Sequence, residues 1–425
     1  IMGTVGGGPA KVAVVSSALM GMMTGSPTAN IITTGSFTIP AMKRLGYPSH
    51  YAAAIEACAS TGGVLMPPVM GVTAFVIAGW LDIPYFHVAV AATVPSVLYY
   101  LSLFVQIDGQ AVKAGLKGLP RHELPSIGYA IREVMIYAVA IAVLIYLLLY
   151  LRREGQAPFY TAAFLIAIAM IRKKTRLGLR DFIDLFQRAG AVFAEITTLL
   201  ISISLIMGAI MITGLGTTLS VVLLDMATGN VFLLVALAAL ASFIIGMVGS
   251  STICYIILAI LVAPALVAGG LDTLAVHLFL MYCGVLSAIT PPVCVSAYVA
   301  ASLAIAPPLK TGWAAMRLGS TLFLLPFFFI FKPEFILHGT PLSIAHVVGT
   351  GIAGVILLAS GIEGYLVGVG RLSLAPRFIT LICGALLFAP LWYLGVIAAI
   401  IFAIFITVSG LAHRSRFKRE TETVI

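Results

Sequence analysis

Charge is what this sequence has least of. Only 9% of its 425 residues are Asp, Glu, Lys or Arg, against roughly a quarter in an average soluble domain, so it cannot dress a large water-facing surface. Cysteine is sparse. Cys58, Cys254, Cys283, Cys294 and Cys383 form no CxxC pair and lie inside apolar segments, which excludes a disulfide scaffold and makes them packing residues. The seven histidines include no HExxH and no two at ligand spacing near an acid, so a zinc hydrolase is excluded. No GxSxG elbow surrounds Ser250 or Ser251, and His277 has only Asp272 as an orienting acid, which argues against an intramembrane hydrolase and against an enzyme generally. No GxxxxGK[ST] occurs, so this chain hydrolyses no ATP through a P-loop, and any pumping it does must draw on an ion gradient. The opening IMGTVGGGPAKVAVV has neither a charged n-region nor a cleavage site. It reads as mature chain, and its start in mid-pattern leads us to expect a truncation.

What is present is hydrocarbon. Hydrophobic residues make up 61% of the chain, and the mean hydropathy is +1.13. Runs long enough to cross ~30 Å of lipid as helices recur, as at 129–151, 196–213, 231–248 and 391–411. The strict alternation of a β-barrel strand is absent, so the expected class is an all-α polytopic membrane protein. The net charge of +9 sits in short loops between these runs rather than on one face. That distribution fits membrane topology and not nucleic acid.

The chain also repeats itself. MTGSPTANIITTGSFTIPAMKRLGY and MVGSSTICYIILAILVAPALVAGGL align at one offset of 224 residues, which places Gly25 on Gly249, Ser26 on Ser250, Thr28 on Thr252, Pro40 on Pro264 and Gly46 on Gly270. The register continues to Pro67, Pro68 and Val69 on Pro291, Pro292 and Val293. In each copy a Gly-Ser-x-Thr cluster interrupts an apolar run, leaving arms (11–23 and 31–42 in the first copy) too short to span. We read a re-entrant hairpin. A double proline then interrupts the next run, because the ring removes a backbone donor and clashes with the preceding turn. We read a broken helix, whose freed carbonyls can coordinate a cation where they line a cavity.

Topology can be tested with the positive-inside rule. With Lys11, Lys43 and Arg44 cytoplasmic, Lys113, Lys117, Arg121, Arg172, Lys173, Lys174, Arg176, Lys310, Arg371, Arg377 and the tail from Arg414 also fall inside; only Arg152, Arg153 and Lys332 disagree. The base of the second hairpin, VAGGLD, falls outside and carries no positive charge, so the two copies are expected to be inverted in the membrane.

These strings resemble one family. GMMTGSPTANIITTGSFTIPAMKRLGYPSHYAAAIEACASTGGVLMPPVMG, IPYFHVAVAATVPSVLYYLSLFVQI, GLKGLP, GMVGSSTICYIILAILVAP and SAITPPVCVSAYVAA are similar to the large permease (DctM-like) subunit of tripartite ATP-independent periplasmic (TRAP) transporters, over about residues 6–319. The likeness is strongest to the fused type that works with TAXI-type binding proteins, in which a small membrane subunit precedes this region. The resemblance implies an elevator-type ion transporter in a bacterial-type inner membrane, with a periplasmic substrate-binding protein delivering an organic acid and sodium, or else a proton, as the coupling ion. Carried over by position, one sodium site would take Ser26, Asn30, Thr61 and Gly62 near Pro67 and Pro68. The other would take Gly249, Ser250, Ser251 and Thr252 with Ser287 and Thr290 near Pro291 and Pro292. Substrate would lie between the tips, at Ser26, Thr28, Asn30, Ser251 and Thr252. Pro27 departs from the pattern, because the second copy has Ser251 there.

The expected organisation is a first inverted repeat at 1–106 and a linker at 107–190 with two membrane helices and an interfacial amphipathic helix around Leu179–Phe186. A second repeat at 191–332 and extra C-terminal helices at 333–425 complete it. The C-terminal spans are expected at 344–367, 377–391 and 392–411. Glu56 and Glu195 lie within a turn or two of cytoplasmic ends, where solvated or snorkelling positions are expected ahead of a proton relay. Glu363, between Gly361 and Gly364, is placed to pair with another helix or to bind an ion. No cofactor beyond the coupling ion is expected. A stand-alone sodium/dicarboxylate symporter and a channel are the alternative readings.

Overall fold

The computed structural model describes residues 6–116, 118, 126–172, 175–247, 251–389 and 393–405. They are helical apart from turns and a two-residue β-ribbon, Tyr365–Leu366 against Gly370–Arg371. In chain order the helices are α1 (Gly8–Thr24), α2 (Pro27–Arg44), α3 (Ser49–Gly63), α4 (Val72–Leu81), α5 (Tyr85–Lys113), α6 (Ile127–Ile145), α7 (Ala157–Ile171), α8 (Leu179–Thr213) and α9 (Leu215–Ala227). They continue as α10 (Val231–Gly246), α11 (Ser251–Leu261), α12 (Ala263–Ala268), α13 (Thr273–Leu286), α14 (Val295–Ala304), α15 (Pro308–Leu318), α16 (Ser320–Phe331), α17 (Pro341–Glu363) and α18 (Leu374–Phe388). A last apolar helix, Tyr393–Phe405, follows. Among the described residues α5, α8, α17 and the continuous stretch Pro308–Phe331 are long and apolar enough to cross a membrane. The chain is therefore an all-α polytopic membrane protein.

Two compact units form, one from 1–71, 90–121 and 285–425, the other from 72–89 and 122–284. In the first, α1 ends because Gly25 turns left-handed (φ 62°) and its N–H closes on the Gly21 carbonyl at 3.0 Å. Ser26 then caps α2, with Pro27 at the first helical position, where its missing N–H is harmless. Ser17 meets Thr34 while Gly21 meets Asn30, a falling register that makes α1 and α2 an antiparallel hairpin. At 17 and 18 residues the arms exceed the expected ones, because prolines near both N-termini start these helices instead of stopping them. Against the hairpin lies α3, buried at every residue from Tyr51 to Gly63. Its run of Ala, Ser and Gly lets α1, α2, α14 and α15 all approach it. The Tyr99 and Tyr100 hydroxyls of α5 donate to the Cys58 and Ala59 carbonyls at 3.0 and 2.8 Å.

α17 and α18 pair closely in the same unit. A methyl on Gly384 would stand 2.9 Å from the Gly354 oxygen, and Phe328 stacks on Phe388 with ring centres 3.9 Å apart. These two helices and Tyr393–Phe405 overlap the stretches expected as C-terminal spans, of which residues 390–392 and 406–411 lie outside the described residues. α5 runs on to Lys113, into the linker expected from residue 107.

In the second unit α10 packs antiparallel on α11 and α12, with Asn230 capping α10 by accepting from the Phe232 and Leu233 N–H groups. The Tyr255 hydroxyl and His277 Nδ1 lie 2.7 Å apart in its interior. The sequence reading separated an interfacial helix from a span at 196–213, whereas α8 is one helix of 35 residues. Gly190 is the only weak helix former between them, and one glycine costs about 1 kcal/mol, too little to break a helix this apolar.

Elements recur at the 224-residue offset. α2 moved by that amount falls on 251–268, the stretch covered by α11 and α12, and α3 and α4 fall on α13 and α14 within a residue. Pro67–Pro68 and Pro291–Pro292 are both cis, and Met70 and Cys294 after them both have positive φ. In each copy the loop folds back on itself, with Gly71 N–H on the Val64 carbonyl at 2.8 Å and Ser296 N–H on the Ala288 carbonyl at 3.0 Å. One difference stands out. Pro264 splits the second arm into α11 and α12 at Val262, while α2 passes through Pro40 unbroken.

Candidate functional site

The tip of the first hairpin lies against the unwound stretch that follows α3. A methyl on Gly71 would stand 3.4 Å from the Gly25 carbonyl oxygen, and one on Gly21 would stand 2.7 Å from the Gly63 Cα and 2.8 Å from Asn30 Nδ2. Glycine at 21 and 63 is therefore what lets α1, α2 and the end of α3 converge. Asn30 is fully buried there, and its Nδ2 donates to the Ser17 carbonyl at 2.7 Å, which fixes the amide and aims Oδ1 toward Thr34. Ser26 Oγ accepts from the Ala29 N–H at 3.4 Å and keeps a lone pair for a further ligand. Thr28 is half-buried on the first turn of α2.

Thr61 is fully buried, and its hydroxyl has no partner among the described residues. A buried hydroxyl left unpaired costs about 1–3 kcal/mol, so Thr61 is free to accept a further bond. It does not share a face with Gly63, since two residues along a helix turn the side chain through about 200°. Gly62 is pressed against the Tyr99 ring, where a methyl would come within 2.4 Å, so its contribution can only be backbone. Pro67 and Pro68, half-buried, carry the chain from the end of α3 back to the hairpin tip.

Of the second set, Gly249 and Ser250 lie outside the described residues. Thr252 Oγ1 sits 2.9 Å from Thr73 Oγ1 of α4, a partner that the sequence reading missed because Thr73 follows the first broken helix and not the second. Ser251 is half-buried at the start of α11. Ser287 and Thr290 are buried at the second broken helix, in the other compact unit, beside the half-buried Pro291; Thr290 donates to the Leu286 carbonyl at 2.7 Å.

Three acids were weighed from sequence. Glu195 is exposed on α8, as expected. Glu363 is buried and pairs with Lys113 and, at 3.2 Å, with Arg317. Helix pairing is thus its role, and Gln110, Arg371 and Arg377 line the same pocket. Glu56 corrects the expectation of a solvated or snorkelling carboxylate. It is fully buried at the centre of α3, with Ser17, Thr34, Thr38 and Ser60 hydroxyls around it. Counting turns to the helix end missed this, because α1 and α2 cover α3 along its length.

Among the described residues no three His, Cys, Asp or Glu side chains gather as a metal centre, and all five cysteines are free and buried. Asp272 Oδ1 accepts from the Ala275 N–H at 2.8 Å as a helix cap, and His277 Nδ1 meets the Tyr255 hydroxyl.

Comparison with known proteins gives these features a family. Residues 1–344 match the model described as tripartite ATP-independent periplasmic transporter, DctM component. An isethionate TRAP transporter permease protein DctMQ of Oleidesulfovibrio alaskensis is 27% identical over 314 residues, 72% of this chain and 48% of that protein. C4-dicarboxylate TRAP transporter large permease proteins DctM of Pseudomonas aeruginosa and Vibrio cholerae are 33% and 28% identical over 123 residues, 29% of this chain and 28% and 26% of theirs. The aligned part covers less than half of each of these relatives. A match over four-fifths of the chain, spanning both Gly-Ser-x-Thr clusters and both double prolines, establishes that the chain belongs to the DctM family of TRAP transporter large permeases.

Proposed function

We propose that this chain forms the ion-coupled transport pathway of a TRAP transporter, taking up an organic acid delivered by a periplasmic substrate-binding protein, with sodium as the coupling ion. Uptake proceeds by an elevator movement of inverted repeats in a bacterial-type inner membrane. The observation that carries the reading is the meeting of the Gly25–Ser26 tip with the unwound stretch ending at Gly71, near buried Asn30. Backbone oxygens freed at a helix break, together with hydroxyl and amide oxygens, are the hard neutral ligands that suit an alkali cation. The recurrence of the Gly-Ser-x-Thr cluster and the double proline at 224 residues in the sequence is what extends the ligand assignment to Gly249, Ser250, Ser251 and Thr252 and to Ser287, Thr290 and Pro291. Pro27 is compatible with the first site, because at the head of α2 it withdraws a hydroxyl ligand without costing a backbone bond.

An organic acid suits helix N-termini such as those of α2 and α11, where unpaired N–H groups and the helix dipole face an anion. The relatives are named for isethionate and C4-dicarboxylates, both small organic anions. Substrate contacts are assigned to Ser26, Thr28, Asn30, Ser251 and Thr252. The binding protein is of the TAXI type, and the small membrane subunit is fused ahead of this region, as the DctMQ relative's name suggests for its own chain.

The test is the sodium requirement of uptake in Ser26→Ala, Thr61→Val and Ser250→Ala. Each should raise the half-saturating sodium concentration about three- to tenfold, the loss of one ligand oxygen worth roughly 0.7–1.4 kcal/mol. Unchanged sodium dependence in all three, at normal expression, would remove the ion-site assignment.

A further inference from the structure

Glu56 meets no countercharge among the described residues. Its carboxyl is fully buried between α1, α2 and α3, and among the described residues it forms no ion pair. Ionisable groups on the surrounding elements are engaged or remote. Lys11 of α1 is bound to Asp108, Lys43 of α2 donates to the Ala304 carbonyl at 2.8 Å, and Arg44 ends α2. On α15 Arg317 is committed to Glu363 and Lys310 lines a surface pocket with His50, while α14 offers only Tyr298, bonded to the Pro292 carbonyl. α3 itself adds Tyr51, beside Arg317, and Cys58, which donates to the Ala315 carbonyl.

Hydroxyls surround the carboxyl instead. Ser17 Oγ lies 2.6 Å and Thr34 Oγ1 2.5 Å from Oε1, Ser60 Oγ lies 3.3 Å from the same atom, and Thr38 Oγ1 lies 2.5 Å from Oε2. All four lie within hydrogen-bonding reach, and a hydroxyl can donate to a carboxylate or accept from a carboxylic acid.

The shell also closes its hydrogen bonds in two ways. With a proton on Oε2, Glu56 donates to Thr38, whose own hydroxyl turns to the Thr34 carbonyl at 3.0 Å; Thr34 donates to the Asn30 carbonyl at 2.9 Å and Ser17 donates to Oε1. With the proton gone, the Thr34 and Thr38 hydroxyls both turn onto the carboxylate and release those carbonyls. Neither state strands a buried group, so this buried carboxyl can gain or lose a proton without leaving a hydroxyl or carbonyl unpaired.

We propose that Glu56 is a proton-binding site in the core of the first hairpin, exchanging one proton with water as hydronium, and that Thr34 relays its state to Asn30. The relay rests on the ion site proposed above. The proton site does not.

The experiment is infrared difference spectroscopy of the full-length transporter in lipid vesicles on a shift from acid to alkaline buffer, in H2O and D2O. The wild type should show loss of the C=O band of a protonated carboxyl, downshifted in D2O. Glu56→Gln should abolish that band. Thr38→Val, which deletes the Oε2 partner and spares the carboxyl, should move it, and decides the matter if Glu56→Gln does not fold. A band unaltered by the substitution that folds would overturn the proposal. Because this reading needs no transport, it stands or falls apart from the sodium symporter. The sodium requirement of uptake, read at both pH values in wild type and Glu56→Gln, tests the relay: pH should shift it in the first and not in the second. Equal shifts in both overturn the relay.

Discussion

At the scale of single residues, the molecule depends on where side chains are missing. Gly21 and Gly63 let three helices meet, and a methyl on Gly63 would stand 2.7 Å from the Gly21 Cα, which is backbone and cannot rotate aside. Gly63→Ala should therefore destabilise the protein by about 1–3 kcal/mol, read as a lower melting temperature in detergent. Gly79→Ala on α4, with nothing within 4 Å of the added methyl, should be neutral or slightly stabilising. Equal melting temperatures for the two variants would mean the convergence of α1, α2 and α3 is looser than described. Residue-scale chemistry was partly legible in the sequence. Ser26 stands in the Gly-Ser-x-Thr break, whereas Asn30 entered only through the family resemblance. Ser17, Thr34 and Thr38 were not legible, because their chemistry comes from facing Glu56 across two helix interfaces, and each alone is an ordinary small polar residue in an apolar helix.

At the scale of elements, local rules carried far. Glycine in a left-handed turn ends α1 and proline at the first position starts α2, so the hairpin could be read from eight consecutive residues. The double prolines marked where helices stop. Pairings between distant elements were out of reach, as with Thr73 of α4 beside Thr252 of α11, since a sequence carries no local trace of a contact 179 positions away. The junction of α5, α15 and α17 is another such case. Glu363 is buried, while Lys113 and Arg317 are 23% and 46% exposed, so water screens part of this network. Lys113→Ala should cost roughly 1–3 kcal/mol, below the cost of breaking a fully buried pair, because Arg317 still meets the carboxylate. Lys113→Ala combined with Glu363→Gln should lose less than the two single losses together, since the second change removes the charge that the first one strands. Strict additivity in that melting-temperature cycle would show that the pair does not hold α5 to α17.

At the scale of the whole molecule, the apolar composition, the helices long enough to span a bilayer and the family match place this chain in the membrane as a transport component. The proposed ion coupling rests on the recurrence of the Gly-Ser-x-Thr cluster and the double proline at one offset of 224 residues. The most direct test is uptake of a radiolabelled organic acid by the full-length transporter in liposomes, with an inward sodium gradient, with a proton gradient alone, and with the periplasmic binding protein present or omitted. Uptake that needs both the sodium gradient and the binding protein is the predicted result. Uptake that proceeds without the binding protein, or that a proton gradient drives equally well in sodium-free buffer, would contradict it.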